Sequence, residues 1–115
     1  MIPLTLLIVT MYTLFVAIAE ARRAPRHHSL WMCIHHQEGA WDDDGAPYYG
    51  GLQMSWWFMR TYGKNLLRIK GTADRWTPLE QMTVAQNAYQ REGFSRRWLY
   101  HQWPKSAPPC SHHAV

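Results

Sequence analysis

Apolar residues recur at helical spacing in the stretch that follows residue 29. Ser29 is a favourable helix N-cap, and the apolar positions begin at Leu30 and repeat at helical spacing. The pattern stops at Gly39, and glycine is a common residue at the end of a helix. It therefore predicts a first helix over residues 30–38.

Two later stretches carry clear helix start signals. Ser55 caps a predicted helix over residues 56–62, and a shorter helix is predicted over residues 64–69. Thr77–Glu80 form a capping box with proline at the first helical position, which predicts a long helix that ends near Gly93. The residues that follow are assigned to an irregular C-terminal segment.

A turn-rich segment separates the first two predicted helices. Residues 42–47 are dense in Asp, Gly and Pro, and residues 48–54 contain the adjacent pair Gly50 and Gly51. The pair argues against a regular strand and for a tight bend or a close backbone approach. Together these elements predict a mainly α (α+β) fold with one small irregular β element.

The N-terminus has the character of a targeting segment. Residues 2–19 carry no charge, and small-x-small sites end at Ala19 and Ala21, which predicts a signal peptide or a retained membrane anchor. The alternatives are a buried soluble helix, an inward-facing anchor favoured by the arginines that follow, and a misplaced start codon. The predicted organisation is a signal or anchor over residues 1–21, a basic linker over 22–29, one domain over 30–110 and a tail over 111–115.

The chain has two cysteines, Cys33 and Cys110, near the two ends of the predicted domain. In an oxidising compartment a bridge between them would close a loop worth about 4.5 kcal/mol in the chain-entropy model. The export signal favours this disulfide, and the alternative is a pair of free thiols in a cytosolic protein.

The formal net charge of +4 does not by itself identify a partner. The basic residues are scattered and no zinc-finger or RNA-binding signature accompanies them, so we expect no nucleic-acid partner. A small nucleic-acid-binding protein is the third-ranked alternative. A mildly basic exported protein suits an anionic cell envelope equally well.

Histidines and aromatic residues are both abundant. The seven histidines lie largely in doublets, without H-E-x-x-H or Cys-x-x-Cys, so the sequence predicts neither a metal nor another cofactor. Seven tryptophans and six tyrosines are more than one small core needs. Aromatic faces are common platforms for sugar rings, and the alternative is that most of these side chains belong to the core.

Several motifs occur in a recognisable order. They are Trp31-x-Cys33, Glu38-Gly39-x-Trp41, Tyr48-Tyr49-Gly50-Gly51-Leu52-Gln53-Met54, Trp103-Pro104 and Cys110. This order resembles the transglycosylase-like domain of actinobacterial resuscitation-promoting factors over about residues 30–110, and it is also similar to lytic transglycosylases and goose-type lysozymes. The resemblance implies a reduced lysozyme-like fold, a disulfide, and cleavage of peptidoglycan between N-acetylmuramic acid and N-acetylglucosamine.

Glu38 is the candidate catalytic acid. Family members place this Glu directly after the Cys, whereas residues 34–37 intervene here, a shift of one helical turn that keeps Glu38 on the same side. Glycosidic cleavage needs a carboxylic acid that protonates the leaving oxygen. The alternative is an ordinary surface Glu at a helix C-terminus, where the helix dipole disfavours its charge.

The other candidate residues surround this acid in the sequence. The expected substrate-binding residues are Gln53, which resembles the family's cleft glutamine, and Trp41, Tyr49, Gly50 and Gly51. Gln53 has the alternative role of satisfying backbone groups at a bend. Any of Asp42, Asp43 and Asp44 is a candidate second carboxylate, as in two-carboxylate glycosidases, and their alternative role is a solvated turn or a helix cap.

The sequence thus predicts a monomeric, secreted or cell-envelope enzyme that cleaves peptidoglycan glycan strands as a lytic transglycosylase or a muramidase-type hydrolase. Transglycosylation needs no second carboxylate, because the muramic C6 hydroxyl attacks within the substrate. A non-catalytic glycan-binding or signalling module on the same fold is the alternative, which binding to peptidoglycan without release of fragments would indicate.

Overall fold

The computed structural model describes residues 3–21 and 24–114, without the side chains of residues 14–21. The helices in these residues are α1 (Leu4–Ala21), α2 (His28–Glu38), α3 (Trp56–Tyr62), α4 (Lys64–Lys70), α5 (Pro78–Arg91), α6 (Arg96–Gln102) and α7 (Ala107–Cys110). Short 3₁₀ turns span Ala73–Arg75 and Ser111–His113. Strands β1 (Tyr48–Tyr49) and β2 (Met54–Ser55) pair antiparallel, so the predicted mainly α fold with a small β element is confirmed.

The predicted N-terminal segment is helical where it is described. Residues 1, 2, 22, 23 and 115, which belong to the predicted signal or anchor, linker and tail, lie outside the described residues. Within the described part of the chain, no helix is sufficiently long and apolar to span a membrane. The targeting role of this segment stays a prediction.

Helix α2 begins two residues earlier than predicted, and Ser29 is not its cap. His27 occupies the N-cap position without a side-chain capping bond. Its ring is buried between Tyr89 and Phe94, and its backbone N–H donates to Gln86 Oε1 at 3.2 Å. Packing of His27 against α5 therefore sets where the chain enters the helix.

The assignment of an irregular segment after Gly93 is wrong for residues 107–110, which form α7, and for residues 96–102, which form α6. Ser95 caps this helix, because its Oγ accepts from the backbone N–H of Trp98 at 3.1 Å. The helix turns Trp98 towards Tyr62 and Trp103, where the rings meet edge to face.

The core is built mainly between α2, α5 and the C-terminal helices. Trp31 is fully buried and packs against Tyr89 and Trp103, with ring centroids 5.9 and 5.6 Å away. Its indole N–H donates to Gln86 Oε1 at 2.9 Å, which satisfies a buried polar group. Helix α2 is thereby held along one face and ends at the molecular surface at Glu38.

A disulfide joins Cys33 of α2 to Cys110 of α7, as predicted. The two residues are 77 positions apart in sequence, so the bond closes a large part of the domain into one loop. Gln37 adds to this attachment, since its side-chain amide donates to Cys110 Sγ at 3.1 Å and to the Ser106 carbonyl at 3.3 Å.

We expect simultaneous replacement of Cys33 and Cys110 by serine to lower the free energy of unfolding by about 4.5 kcal/mol, because the unfolded chain regains its loop entropy. Chemical denaturation of the oxidised parent and the double variant measures this difference. The parent with its thiols reduced should unfold like the double variant. Equal stability of all three proteins would contradict the prediction.

The capping box of α5 is formed as predicted. Thr77 Oγ1 accepts from the Glu80 backbone N–H at 3.1 Å, and the Glu80 carboxylate accepts from the Thr77 backbone N–H at 2.8 Å. Burial acts to raise the pKa of the Glu80 carboxyl, but hydrogen bonds from Lys70 and Thr77 outweigh it and lower that pKa.

Thr77→Ala should therefore lower the free energy of unfolding by about 1 kcal/mol, since it removes one half of the capping box. The matched control is Thr83→Ala, an exposed position inside the same helix, where alanine is the better helix former. Thermal unfolding of both variants measures the difference. Equal melting temperatures of the two variants would show that the cap does not stabilise the fold.

Candidate functional site

Glu38 is the last residue of α2, and its side chain is half-buried. Its Oε1 accepts a hydrogen bond from the Ser106 hydroxyl at 2.7 Å. Position 34, where the family pattern would put the Glu, holds Ile34, which is fully buried in the core. One turn later the helix has reached the surface, so Glu38 can contact a ligand whereas a side chain at position 34 cannot.

Glu38 lines a cleft of about 550 Å³. The floor and walls of this cleft combine aromatic, amide and basic side chains. They are Gln37, Tyr48, Gln53, His101, Gln102, Trp103, Pro104, Lys105 and Ser106.

A second depression of about 590 Å³ adjoins this cleft. The two share five lining residues, namely Tyr48, Gln53, His101, Gln102 and Trp103. The second depression adds Trp57, Tyr62 and Glu92 at its far side. We call the two together the groove, and Glu38 lies in one half of it.

The far half of the groove is aromatic and contains a carboxylate. Trp57 is half-exposed, and its ring meets Tyr62 edge to face at 5.8 Å. The Tyr62 hydroxyl donates to Glu92 Oε1 at 2.8 Å. Burial, and next this hydrogen bond, raise the pKa of Tyr62 above its ordinary value.

Gln53 lies where the two halves of the groove meet. Its backbone has a positive φ of 49°, and its amide N–H₂ donates to the Gly50 carbonyl at 3.0 Å and to Asp43 Oδ2 at 2.9 Å. The side chain thus satisfies a backbone group at a bend, as the alternative role expected, and also faces the groove. The bonds made by its nitrogen hold the amide in one orientation.

Asp43 is engaged within its own loop. Its carboxylate accepts from Gln53 and, at 2.9 Å, from the Gly45 backbone N–H, and its carbonyl accepts from the Gly50 N–H at 2.8 Å. Asp42 and Asp44 are exposed. The described residues that line the groove include none of these three aspartates, whereas Glu92, not singled out by the sequence, does line it.

Gly50 and Gly51 lie against buried protein groups. Gly50 has a φ of 78°, and the Gly51 N–H donates to Gln81 Oε1 at 2.8 Å. A Cβ on Gly50 would collide with the Gln81 amide, and one on Gly51 would lie 2.6 Å from His35 Nδ1 and closer still to Trp41. The glycines are thus needed for a tight bend and for a close backbone approach, as expected, and neither is among the described residues that line the groove.

Trp41 also belongs to this internal packing. Its ring stacks on His35 with centroids 3.7 Å apart, and its carbonyl accepts from the Gln81 amide at 2.9 Å. The groove-lining side chains among the described residues do not include Trp41. Sequence proximity to Glu38 suggested a wall of the site, but the chain turns after Gly39 and carries the ring under Gly51.

The two tyrosines of β1 face opposite ways, as neighbours on a strand do. Tyr48 is half-exposed and lines both halves of the groove, whereas Tyr49 packs against the core. The candidate named from the sequence was Tyr49, and the side chain in position to contact a ligand is its neighbour Tyr48.

Ser106, Gln81 and the groove residues of α6 were not identified from the sequence. Ser106 is 68 positions from Glu38, so no local pattern connects the two. His101 and Gln102 lie in the segment assigned as irregular, where a helix capped by Ser95 was not recognised. Among the described residues, no group of three or more His, Cys, Asp or Glu side chains is arranged to hold a metal ion.

Gly51→Ala should lower the free energy of unfolding by about 1–3 kcal/mol, because the new methyl group overpacks the contact between His35 and Trp41. The matched control is Gly45→Ala, the same change in an exposed loop, with an expected effect within about 0.5 kcal/mol. Chemical denaturation measures both. Equal effects of the two substitutions would refute the packing role of Gly51.

Models of known protein families give no match to this sequence, and a comparison with curated proteins gives none either. The resemblance described above therefore rests on the motifs themselves.

Proposed function

We propose that the chain cleaves peptidoglycan glycan strands between N-acetylmuramic acid and N-acetylglucosamine, with Glu38 as a single general acid and base. The observation that carries this proposal is the position of Glu38, a half-buried carboxyl in a groove of two adjoining depressions lined by aromatic and amide side chains. An extended groove suits a polymer better than a small ligand.

The lining chemistry supports a sugar chain. Tyr48 and Trp57 are each about half-exposed and offer ring faces to the apolar sides of sugars. Gln53 offers its amide oxygen as an acceptor, because both of its N–H bonds are made within the loop. Gln102 offers a complete amide for the acetamido and hydroxyl groups of amino sugars. Pockets that combine apolar walls with a few directed polar groups are typical ligand sites.

Glu38 has a role in both halves of the proposed reaction. As an acid it protonates the glycosidic oxygen while the bond to the muramic C1 breaks. As a carboxylate it then takes the proton of the attacking hydroxyl. The aspartates expected as second carboxylates do not line the groove, and Glu92 lines only the other half, where it accepts from the Tyr62 hydroxyl. The absence of a second carboxylate from the half that contains Glu38 favours attack by the muramic C6 hydroxyl, hence a lytic transglycosylase, over a two-carboxylate hydrolase.

We also propose that the chain folds as a reduced lysozyme-like domain of the resuscitation-promoting-factor type. The disulfide between Cys33 and Cys110 supports an oxidising location, in the cell envelope or outside the cell. We further propose that the protein acts as a monomer on peptidoglycan, with the N-terminal segment as its export signal or tether.

The alternative proposal is a non-catalytic glycan-binding or signalling module. The observation that favours it is the same lack of Asp42, Asp43 and Asp44 in the groove, because a binding protein needs no second carboxylate. Binding of purified peptidoglycan without release of soluble muropeptides would support this alternative.

Glu38→Gln should reduce the release of muropeptides from purified peptidoglycan by about 10²–10⁴-fold, since the amide cannot deliver a proton. Its amide oxygen can still accept from Ser106, so the fold and glycan binding should remain. Mass spectrometry of the products measures the rate and separates 1,6-anhydro ends from reducing ends, which differ by one water.

The matched control is Glu80→Gln, the same chemical change away from the groove. This variant should release muropeptides at the parental rate. Asp42→Asn, Asp43→Asn and Asp44→Asn should each cost far less than Glu38→Gln. If one of these aspartates is as indispensable as Glu38, the two-carboxylate hydrolase is the better assignment. Parental activity of Glu38→Gln would show that the acid is misassigned.

A further inference from the structure

Ser106 is a buried polar residue whose only described side-chain partner is the candidate acid. Two per cent of its surface is exposed, and its Oγ donates to Glu38 Oε1 at 2.7 Å. A buried hydroxyl is usually bonded to a neighbouring backbone group. Here it is bonded instead to a carboxyl 68 positions away, at the wall of the groove.

The chain around Ser106 is held on both sides. Trp103 precedes it and is buried, with its indole N–H donating to the Leu52 carbonyl at 2.7 Å. Cys110 follows it in α7 and is covalently bound to α2. Gln37 donates to the Ser106 carbonyl itself. The hydroxyl is thereby presented to Glu38 by a fixed backbone and not by a mobile loop.

The direction of this hydrogen bond has a chemical consequence. An ionised carboxylate can only accept, so the Ser106 hydroxyl is the donor, and Oε1 is the oxygen that it occupies. When Glu38 is protonated in the same arrangement, its proton lies on Oε2. A hydrogen bond to a carboxylate also strengthens as negative charge develops, which happens when an acid gives up its proton.

We propose that Ser106 is the positioning residue of the acid: its hydroxyl fixes the Glu38 side chain, reserves Oε2 for the transferred proton and stabilises the carboxylate formed after transfer. This inference rests on the proposed function for its catalytic part. The hydrogen bond from Ser106 to the Glu38 carboxyl is a property of the protein itself, so it can be measured without substrate.

Other charged groups near Glu38 must be kept constant in the test. His101 of α6 and Lys105 in the turn before Ser106 line the same half of the groove, and Asp43 lies next to it through Gln53. A change confined to Ser106 leaves all three in place. A difference between the parent and a Ser106 variant therefore reports the hydroxyl.

The experiment is carbon NMR of the glutamate carboxyl groups in the full-length chain at one fixed pH, with the Glu38 signal identified by its loss in Glu38→Gln. In Ser106→Ala the resonance of the Glu38 carboxyl carbon should move from its parental position, because the carboxyl loses its hydrogen-bond donor. Ser106→Thr keeps the hydroxyl and should restore the parental resonance. Ser111→Ala, the same change outside the groove, should have no effect.

Peptidoglycan cleavage provides the second readout. Ser106→Ala should lower kcat about tenfold with little change in KM, and Ser106→Thr should restore most of this loss. Thermal melting of each variant verifies that the fold is kept.

The outcomes separate the two proposals. An unchanged Glu38 resonance in folded Ser106→Ala overturns the role of Ser106, whatever the activity. A shifted resonance together with full activity of Glu38→Gln supports the hydrogen bond from Ser106 to the carboxyl and overturns the assignment of Glu38 as the acid.

Discussion

The attachment of the C-terminal segment to α2 is the constraint on which the site depends. The bond between Cys33 and Cys110 and the burial of Trp103 bracket a short turn, and this turn carries Ser106 and one wall of the groove. Without that attachment Glu38 would be a surface carboxylate at the end of a helix. With it, the carboxyl has a wall beside it and a donor bonded to it. In a domain with one modest core, a covalent link is an effective way to hold two distant segments in register.

A second constraint lies beneath the groove. The fully buried amide of Gln81 accepts from the Gly51 N–H and donates to the carbonyls of Trp41 and Trp76. It ties three separate stretches of backbone together, and this leaves no room for a side chain on Gly50. The glycine pair is thus explained by protein packing, and a role of the groove in binding sugar rests on other residues.

Local features of the fold were predictable from particular residues. The helices at 56–62 and 78–91 carry their own caps, so Ser55 and Thr77 mark their starts without help from the rest of the molecule. The start of α2 was misplaced because His27 is held by α5, a contact that no local pattern reveals. The missed helix α6 had a local signal in Ser95, whose side chain caps it.

The features of the candidate site also fall into those that the sequence predicts and those that depend on packing. The sequence by itself determined that Glu38 ends a helix, that a bend containing Gly50 follows, and that two cysteines are available for one bond, because caps, glycines and cysteine counts are local or compositional properties. Only the tertiary structure decided that Tyr48 faces the groove, that Trp41 and Asp43 do not line it, and that Ser106 reaches Glu38. These outcomes depend on which face of β1 lies towards the groove, on the turn after Gly39 and on a disulfide that spans 77 positions. Such relations exist only once distant segments are packed together.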